Sequence, residues 1–211
     1  VMTNAATRTY VESFVTESPV AASARQRADE LGVEPVGTGA GAALRFIASA
    51  IDAKGVVEVG TGTGVSGIWL LEGMNPEGVL TTVDTEIEHQ RAAKRAFTEA
   101  GIAPSRARVI TGAARDVLPR LTDGAYDLVF IDADPLDYAE LLEEALRLLR
   151  PGGIVAFDDA THHDRVADPS ARDGESVALR DLGKLVREHD YLLPVVLPLG
   201  EGLLVAVHQP E

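Results

Sequence analysis

With 211 residues, 33 acidic against 19 basic side chains and a formal net charge of −14, the chain has room for one sizeable domain but not for two ordinary ones and a linker. So acidic a chain is a poor partner for nucleic acid or an anionic membrane, which reward lysine and arginine, and small-molecule chemistry is the better expectation. The absence of cysteine excludes disulfides, thiolate metal sites and a cysteine nucleophile and suits a cytoplasmic setting; no apolar run is long enough for a membrane span, and no basic segment followed by a hydrophobic one opens the chain.

In chain order, Tyr10, Val11, Phe14 and Val15 are spaced to give one apolar helical face, on a helix expected to pack on the body or on a second copy. Ser18-Pro19 breaks it. Val20 to Leu31 reads as a second helix with Arg25, Arg27, Asp29 and Glu30 outward and Gly32 as its stop. Residues 33–41 read as a glycine-rich loop, and Ala42 to Ala53 as a third helix.

From Gly55 onward, apolar runs at 56–59, 79–83, 107–111, 126–131 and 153–157 alternate with helical segments at 64–74, 86–100, 113–121 and 136–149. That alternation is the signature of βαβ units and a parallel sheet covered on both faces. After a helix near 174–189, Tyr191 to Leu199 and Leu203 to Val207 read as strands joined by Gly200-Glu201-Gly202. So short a connection cannot cross over, and the pair must be antiparallel. The expected fold is α/β: a doubly wound, Rossmann-like, seven-stranded, mostly parallel sheet with a C-terminal antiparallel hairpin and an N-terminal helical extension. It forms a single domain over 1–211, with helices in 1–54 and the α/β core in 55–211.

The stretch Val56 to Trp69 carries the chemistry. A β-branched run breaks into Gly60, Gly62, Gly64 and Gly67 and resumes with helical spacing, as a strand, a tight turn and a helix N-terminus do. Glycine lets the chain turn sharply and lie against a ligand, and the free N–H groups and dipole of the helix start then face that ligand. A plain strand-to-helix turn could also use some of these glycines, and is the lesser alternative. Two carboxylates favour the nucleotide reading. Glu58 sits inside an apolar strand, where an unpartnered charge is costly. Asp84 closes the next strand at the distance from Gly60 where an acid reaches a ribose diol, the alternative being a helix N-cap. Asp132 and the carboxylate- and histidine-rich loop from Asp158 also leave strand ends, so that four distant segments converge on the rim where α/β sheets bind ligands.

These residues resemble a class I S-adenosylmethionine-dependent methyltransferase of the cation-dependent O-methyltransferase family, which includes catechol and caffeoyl-CoA methyltransferases. The likeness is closer to actinobacterial members than to plant or animal ones. It covers nearly the whole chain and rests on the segments Glu58 to Ser66, Thr111 to Leu121, Tyr126 to Asp134, Leu148 to Gly153 and the final hairpin. It implies that Glu58 orients the cofactor's amino-acid end, with Gly60, Thr61 and Gly62 approaching through backbone, Ser66 donating from the helix start and Val36 closing over the methionine moiety. It implies further that Asp84 accepts both ribose hydroxyls, that Thr85 lies beside the adenosine, that Ala114 and Arg115 flank the adenine, and that Asp134 touches the cofactor. Asp132, Asp158 and Asp159 match the ligands of a divalent cation, usually magnesium, which makes Asp132 the candidate catalytic residue; a hard cation suits hard oxygen ligands. The implied partners are a small aromatic hydroxyl acceptor and a second copy in a homodimer.

Two positions depart from the family pattern. Pro135 stands where a lysine general base is usual, and Asp159 replaces an asparagine. Ionisation of the hydroxyl by the cation, or His162 or His163, could replace the lysine, although loop histidines are ordinarily only exposed; Asp158 and Asp159 read alternatively as a helix cap or a solvated loop. His89, His189 and His208 fall on helix or strand ends and carry no signal. The other function classes are a cofactor-binding protein that has lost turnover, and an NAD-dependent dehydrogenase, which explains the glycines and Asp84 but not Glu58 or the hairpin.

Overall fold

Three helices precede the sheet: α1 (Ala5–Glu12), α2 (Pro19–Leu31) and α3 (Thr38–Ala50). They belong to a computed structural model that describes residues 5–210; residues 1–4 and 211, part of the expected domain, lie outside the described residues. The Ser18 hydroxyl accepts the Ala21 N–H to cap α2, Pro19 takes the first turn, and Gly32 ends the helix at φ +67°. Arg25 and Arg27 are not outward as expected but half-buried. The Arg25 guanidinium grips Glu17 at 2.7 Å and the Val36 carbonyl at 2.8 Å, and Arg27 reaches Glu99 at 2.9 Å.

The expected loop at 33–41 also differs, since α3 begins at Thr38 and includes two of its glycines. They serve close approach. The Gly39 N–H donates to Glu12 Oε2 at 2.7 Å, and a Cβ at Gly41 would lie 2.5 Å from the Trp69 ring. Glu12 Oε1 accepts the Gly200 N–H at 2.8 Å, so one carboxylate ties the end of α1 to α3 and to the final hairpin.

Strands and helices then alternate: β1 (Gly55–Val59), α4 (Val65–Gly73), β2 (Val79–Asp84), α5 (Ile87–Glu99), β3 (Ala107–Thr111), α6 (Ala114–Val117), β4 (Tyr126–Ile131), α7 (Tyr138–Leu148), β5 (Leu149–Phe157), α8 (Gly174–Glu188), β6 (Leu192–Leu197) and β7 (Leu203–His208). The seven strands lie in the order β3-β2-β1-β4-β5-β7-β6. β1 to β5 are parallel and β7 is antiparallel to both neighbours. The doubly wound sheet and its hairpin are as expected. One apolar layer, around Leu44, Trp69 and Phe97, packs α2 to α5 on one face; the other, around Tyr138, Leu148 and Leu182, packs α7 and α8 on the opposite face.

The ladders set the working edge. Past the strand ends the Gly60 N–H still donates to Val83 O, Asp132 N–H to Val59 O, Asp158 N–H to Ile131 O and Gly112 N–H to Asp84 O. Five sequence-distant positions are thereby fixed in a row. At Gly60, φ is +94° and a Cβ would lie 1.7 Å from the Asp132 carbonyl oxygen, so only glycine lets β1 and β4 close at this point. Gly101 has a similar φ of +69° with nothing within 4 Å of its missing Cβ. Gly101→Ala should therefore cost about 1 kcal/mol, the penalty of left-handed backbone alone, whereas Gly60→Ala should cost more than about 4 kcal/mol or abolish folding. Urea midpoints that fall equally for both variants would refute the crossing as the reason for Gly60.

Candidate functional site

The row of strand ends borders a cavity of about 530 Å³ at the point where the chain order of the sheet reverses, between β1 and β4. That switch point is where open α/β sheets leave a crevice. Gly60, Gly62, Asp84, Thr85, Ala114, Arg115, Asp132 and Asp134 of the expected cofactor set all line it. Four others do not. Val36, Thr61 and Ser66 are buried at 3, 1 and 4 % exposure, with the Thr61 hydroxyl 2.6 Å from that of Thr82, and Glu58 is fully enclosed in β1.

Asp84 is held by the turn it faces. Its Oδ2 accepts the Gly62 N–H at 2.9 Å and its Oδ1 the Glu86 N–H at 2.9 Å. The expected N-cap alternative is not realised, because Glu86 is the cap residue of α5 and makes no side-chain cap bond. Sequence reasoning passed over His89, whose Nδ1 lies 3.3 Å from Asp84 Oδ2 and which lines the cavity. It stands in the first turn of α5, where side chains lean back toward the helix N-terminus and hence toward the end of β2. An acid closing a strand five residues before a histidine in the next helix's first turn was the available signal.

The second feature is a group of acids with no basic partner. Both oxygens of Glu58 and Oδ1 of Asp158 are buried without a hydrogen bond. Burial pushes the Glu58 carboxyl up to about 7 against the opposing pull of the nearby Thr82 and Ser66 hydroxyls, which approach without hydrogen-bonding geometry. Asp132 keeps part of its surface open to the cavity, yet enclosure of its carboxyl and the charges of Asp158 and Asp159 hold it well above the usual carboxylate range. Asp158 is raised by burial and by Asp159, and Asp159 by burial and by Glu34 and Glu201. Beneath them the buried Tyr138 bridges the strand ends, its hydroxyl 3.4 Å from both the Ala133 N–H and the Asp158 carbonyl. Tyr138 and Glu34 also escaped sequence reasoning, which gives no sign of contacts made across the fold.

Asp132, Asp158 and Asp159 stand together, but among the described residues the group whose ligand atoms lie within 4.8 Å of one another is His162, Asp173 and Glu175. That group is a structural network. Asp173 caps α8 through Ser176 N–H and pairs with Arg165, which drives its carboxyl far below the usual range. No helix starts at Asp158 or Asp159; turns lead from them to His162, near Glu175 at 3.2 Å, and to the exposed His163, whose Nδ1 is 3.1 Å from Glu201. Asp134 accepts the Leu136 N–H, and Pro135 opens the short helical turn that follows it.

Glu58 offers a clean test. Its pKa rises on folding from 4.5 to about 7, so its contribution to stability is fully present below about 4.5 and is lost as pH climbs through 7. Glu58→Gln should match the wild type in chemical denaturation at pH 4.5 and exceed it by a few kcal/mol at pH 8. A difference independent of pH would contradict an uncompensated Glu58.

A sequence model described as O-methyltransferase matches residues 9–209. A Mycobacterium ulcerans protein named as a candidate O-methyltransferase is 50% identical over 198 residues, spanning 94% of this chain and 88% of the relative. Among solved structures, a Corynebacterium glutamicum protein superposes with a TM-score of 0.90 at 35% identity, covering 97% of this chain and 96% of the other. The O-methyltransferase TomG of Streptomyces achromogenes, solved in complex with SAM, gives a TM-score of 0.87 at 27% identity with 97% and 96% coverage. A family match over nearly the whole chain favours methyl transfer over nicotinamide chemistry. The chain belongs to the O-methyltransferase family.

Proposed function

We propose that the cavity binds S-adenosylmethionine and that the protein passes a methyl group to a hydroxyl of a small aromatic acceptor. The observation that carries this reading is the cavity itself, which runs along the glycine turn from Asp84 to Asp132. When bound, the cofactor supplies an electrophilic methyl on a sulfonium. Asp84, fixed by two backbone N–H groups, accepts the ribose hydroxyls, while Thr85, Ala114 and Arg115 flank the adenosine and Asp132 and Asp134 border the opposite end. Gly60, Thr61 and Gly62 shape the turn from its backbone. Glu58, Ser66 and Val36 lie behind this lining, where Glu58 favours the cofactor's ammonium group by charge.

Asp132, Asp158 and Asp159 offer an all-oxygen donor set that suits a divalent cation, magnesium being the match, and such an ion would draw together ligand atoms that do not all lie within 4.8 Å of one another here. The support is the buried, unpartnered Asp158 Oδ1 together with the charges of Asp158 and Asp159 that raise Asp132 and that of Asp159 that raises Asp158. Such an ion would lower the pKa of the acceptor hydroxyl. That role matters here because Pro135 offers no proton acceptor.

Calorimetry with S-adenosylmethionine, followed by incubation with a panel of catechols with and without magnesium, tests both parts. Cofactor binding and methyl transfer abolished by a chelator are expected. Tight binding with no transfer to any acceptor would favour a protein that has lost turnover, and NAD binding in place of S-adenosylmethionine would sink the reading.

A homodimer is also proposed. Its support is the apolar surface on the N-terminal helices and the bend after α1, where Tyr10, Phe46 and Phe14 are 64, 73 and 71 % exposed, and on the edge strand β6, where Leu193 and Val195 are exposed. Sedimentation should give twice the monomer mass at micromolar concentration; a monomer would refute it.

A further inference from the structure

Asp84 carries its contacts before any ligand arrives. Two come from backbone, the Gly62 N–H of the glycine turn and the Glu86 N–H of the next loop, each at 2.9 Å. The third is His89, whose Nδ1 lies 3.3 Å from the Oδ2 already bonded to Gly62. Among the described residues, no other side chain bonds to this carboxylate. Both residues line the cavity, and His89 is half-buried in the first turn of α5. A carboxylate has about four lone-pair positions, so three donors leave one direction open, and the donors decide which one it is.

We propose that His89 is a positioning residue for the cofactor ribose, its Nδ1–H donating to Asp84 Oδ2 and turning the open face of that carboxylate toward the ribose hydroxyls. The inference rests on the cavity being the S-adenosylmethionine site. The backbone pair fixes Asp84 from the glycine turn after β1 and from the loop that follows its own strand; the imidazole adds a third point from the first turn of α5, and a carboxylate held at three points loses little freedom when a diol binds. Donation through Nδ1 also settles the tautomer, leaving Nε2 unprotonated in the neutral ring. α5 is oriented for this task independently of His89, because the buried Gln90 beside it donates to the Ile110 carbonyl at 2.8 Å and Ala93 and Phe97 pack in the core.

The test is calorimetry with S-adenosylhomocysteine and with its 2′,3′-dideoxyribose analogue. His89→Ala should raise the dissociation constant for S-adenosylhomocysteine about tenfold, the size of a lost hydrogen bond to a charged group. His89→Asn, whose amide nitrogen takes the place of Nδ1, should restore most of the affinity. For the dideoxy analogue, wild type and His89→Ala should bind alike, and in an Asp84→Asn background His89→Ala should add no further loss. Should His89→Ala fail to fold, His89→Phe keeps a ring and removes the donor. Unchanged affinity in the alanine variant, or an equal loss for both ligands, overturns the positioning role while leaving the cofactor site intact. A wild-type protein that binds neither ligand overturns the cofactor reading and this inference with it.

Discussion

The constraint on which the site depends is the enclosure of acidic groups at the ends of β1, β4 and β5 with, among the described residues, no lysine or arginine bonded to any of them. Enclosing charge is costly unless it is paired, and a fold that encloses several carboxyls together must compensate elsewhere. The ladders do so. Backbone bonds that continue one residue past each strand hold Gly60, Asp132 and Asp158 in a row irrespective of their mutual repulsion. Several basic side chains are committed to other places: Arg25 to Glu17, Arg147 to Glu144 and Asp123, Arg150 to Asp127, and Arg180 to four carbonyl groups of the loop before α8. Among the described residues that line the cavity, Arg115 is the one lysine or arginine.

The glycines after β1 show how one motif serves packing as well as a ligand-facing turn. A ligand-cradling role alone would leave the space beside each missing Cβ open. At Gly60 that space belongs to the Asp132 carbonyl, and at Gly64 and Gly67 to Ala93 and Phe97 of α5. Gly62, with φ +48°, meets only Val33 and faces the cavity, and its N–H is the one that bonds Asp84. Packing explains three of the four glycines, and the fourth joins the turn to the acid.

Much of this architecture was legible because it is local. Apolar runs of strand length, separated by helical spacing and closed by acids, gave the order of elements, and a three-residue link forced the hairpin. What escaped was decided across the fold. Thr38 to Gly41 reads as loop until Glu12 and Trp69 are found pressing on Gly39 and Gly41. Arg25 looks like a solvated charge until the Val36 carbonyl and Glu17 close on it. β5 starts at Leu149, ahead of the expected run, because it pairs with Tyr126 before the ladder shifts register. Tyr138 reaches the site through contacts made across the fold, which no spacing in a single sequence reveals, whereas His89 was signalled only by the acid closing the strand five residues before it. Of the expected site, most residues on strand ends and in the turns and helix starts that follow them reached the cavity, whereas Val36, Glu58, Thr61 and Ser66 are buried behind it.

The two ends of β4 show why acids at the rim are to be read as chemistry and not as architecture. Asp127 and Asp132 stand five residues apart, at opposite ends of one strand. At Asp127, burial alone would raise the carboxyl, but the Gly55 and Lys54 N–H groups and the Arg150 guanidinium outweigh it and bring its pKa down. That acid fastens the start of β1 to the start of β4 and is satisfied by the protein itself. At Asp132 the same strand ends in enclosure with Asp158, Asp159 and Glu58 for neighbours, and the carboxyl is driven the other way. A fold able to pair an aspartate fully at one end of a strand has no structural need to leave one unpaired at the other. The unpaired end costs stability, and it lies on the edge where the sheet opens its cavity.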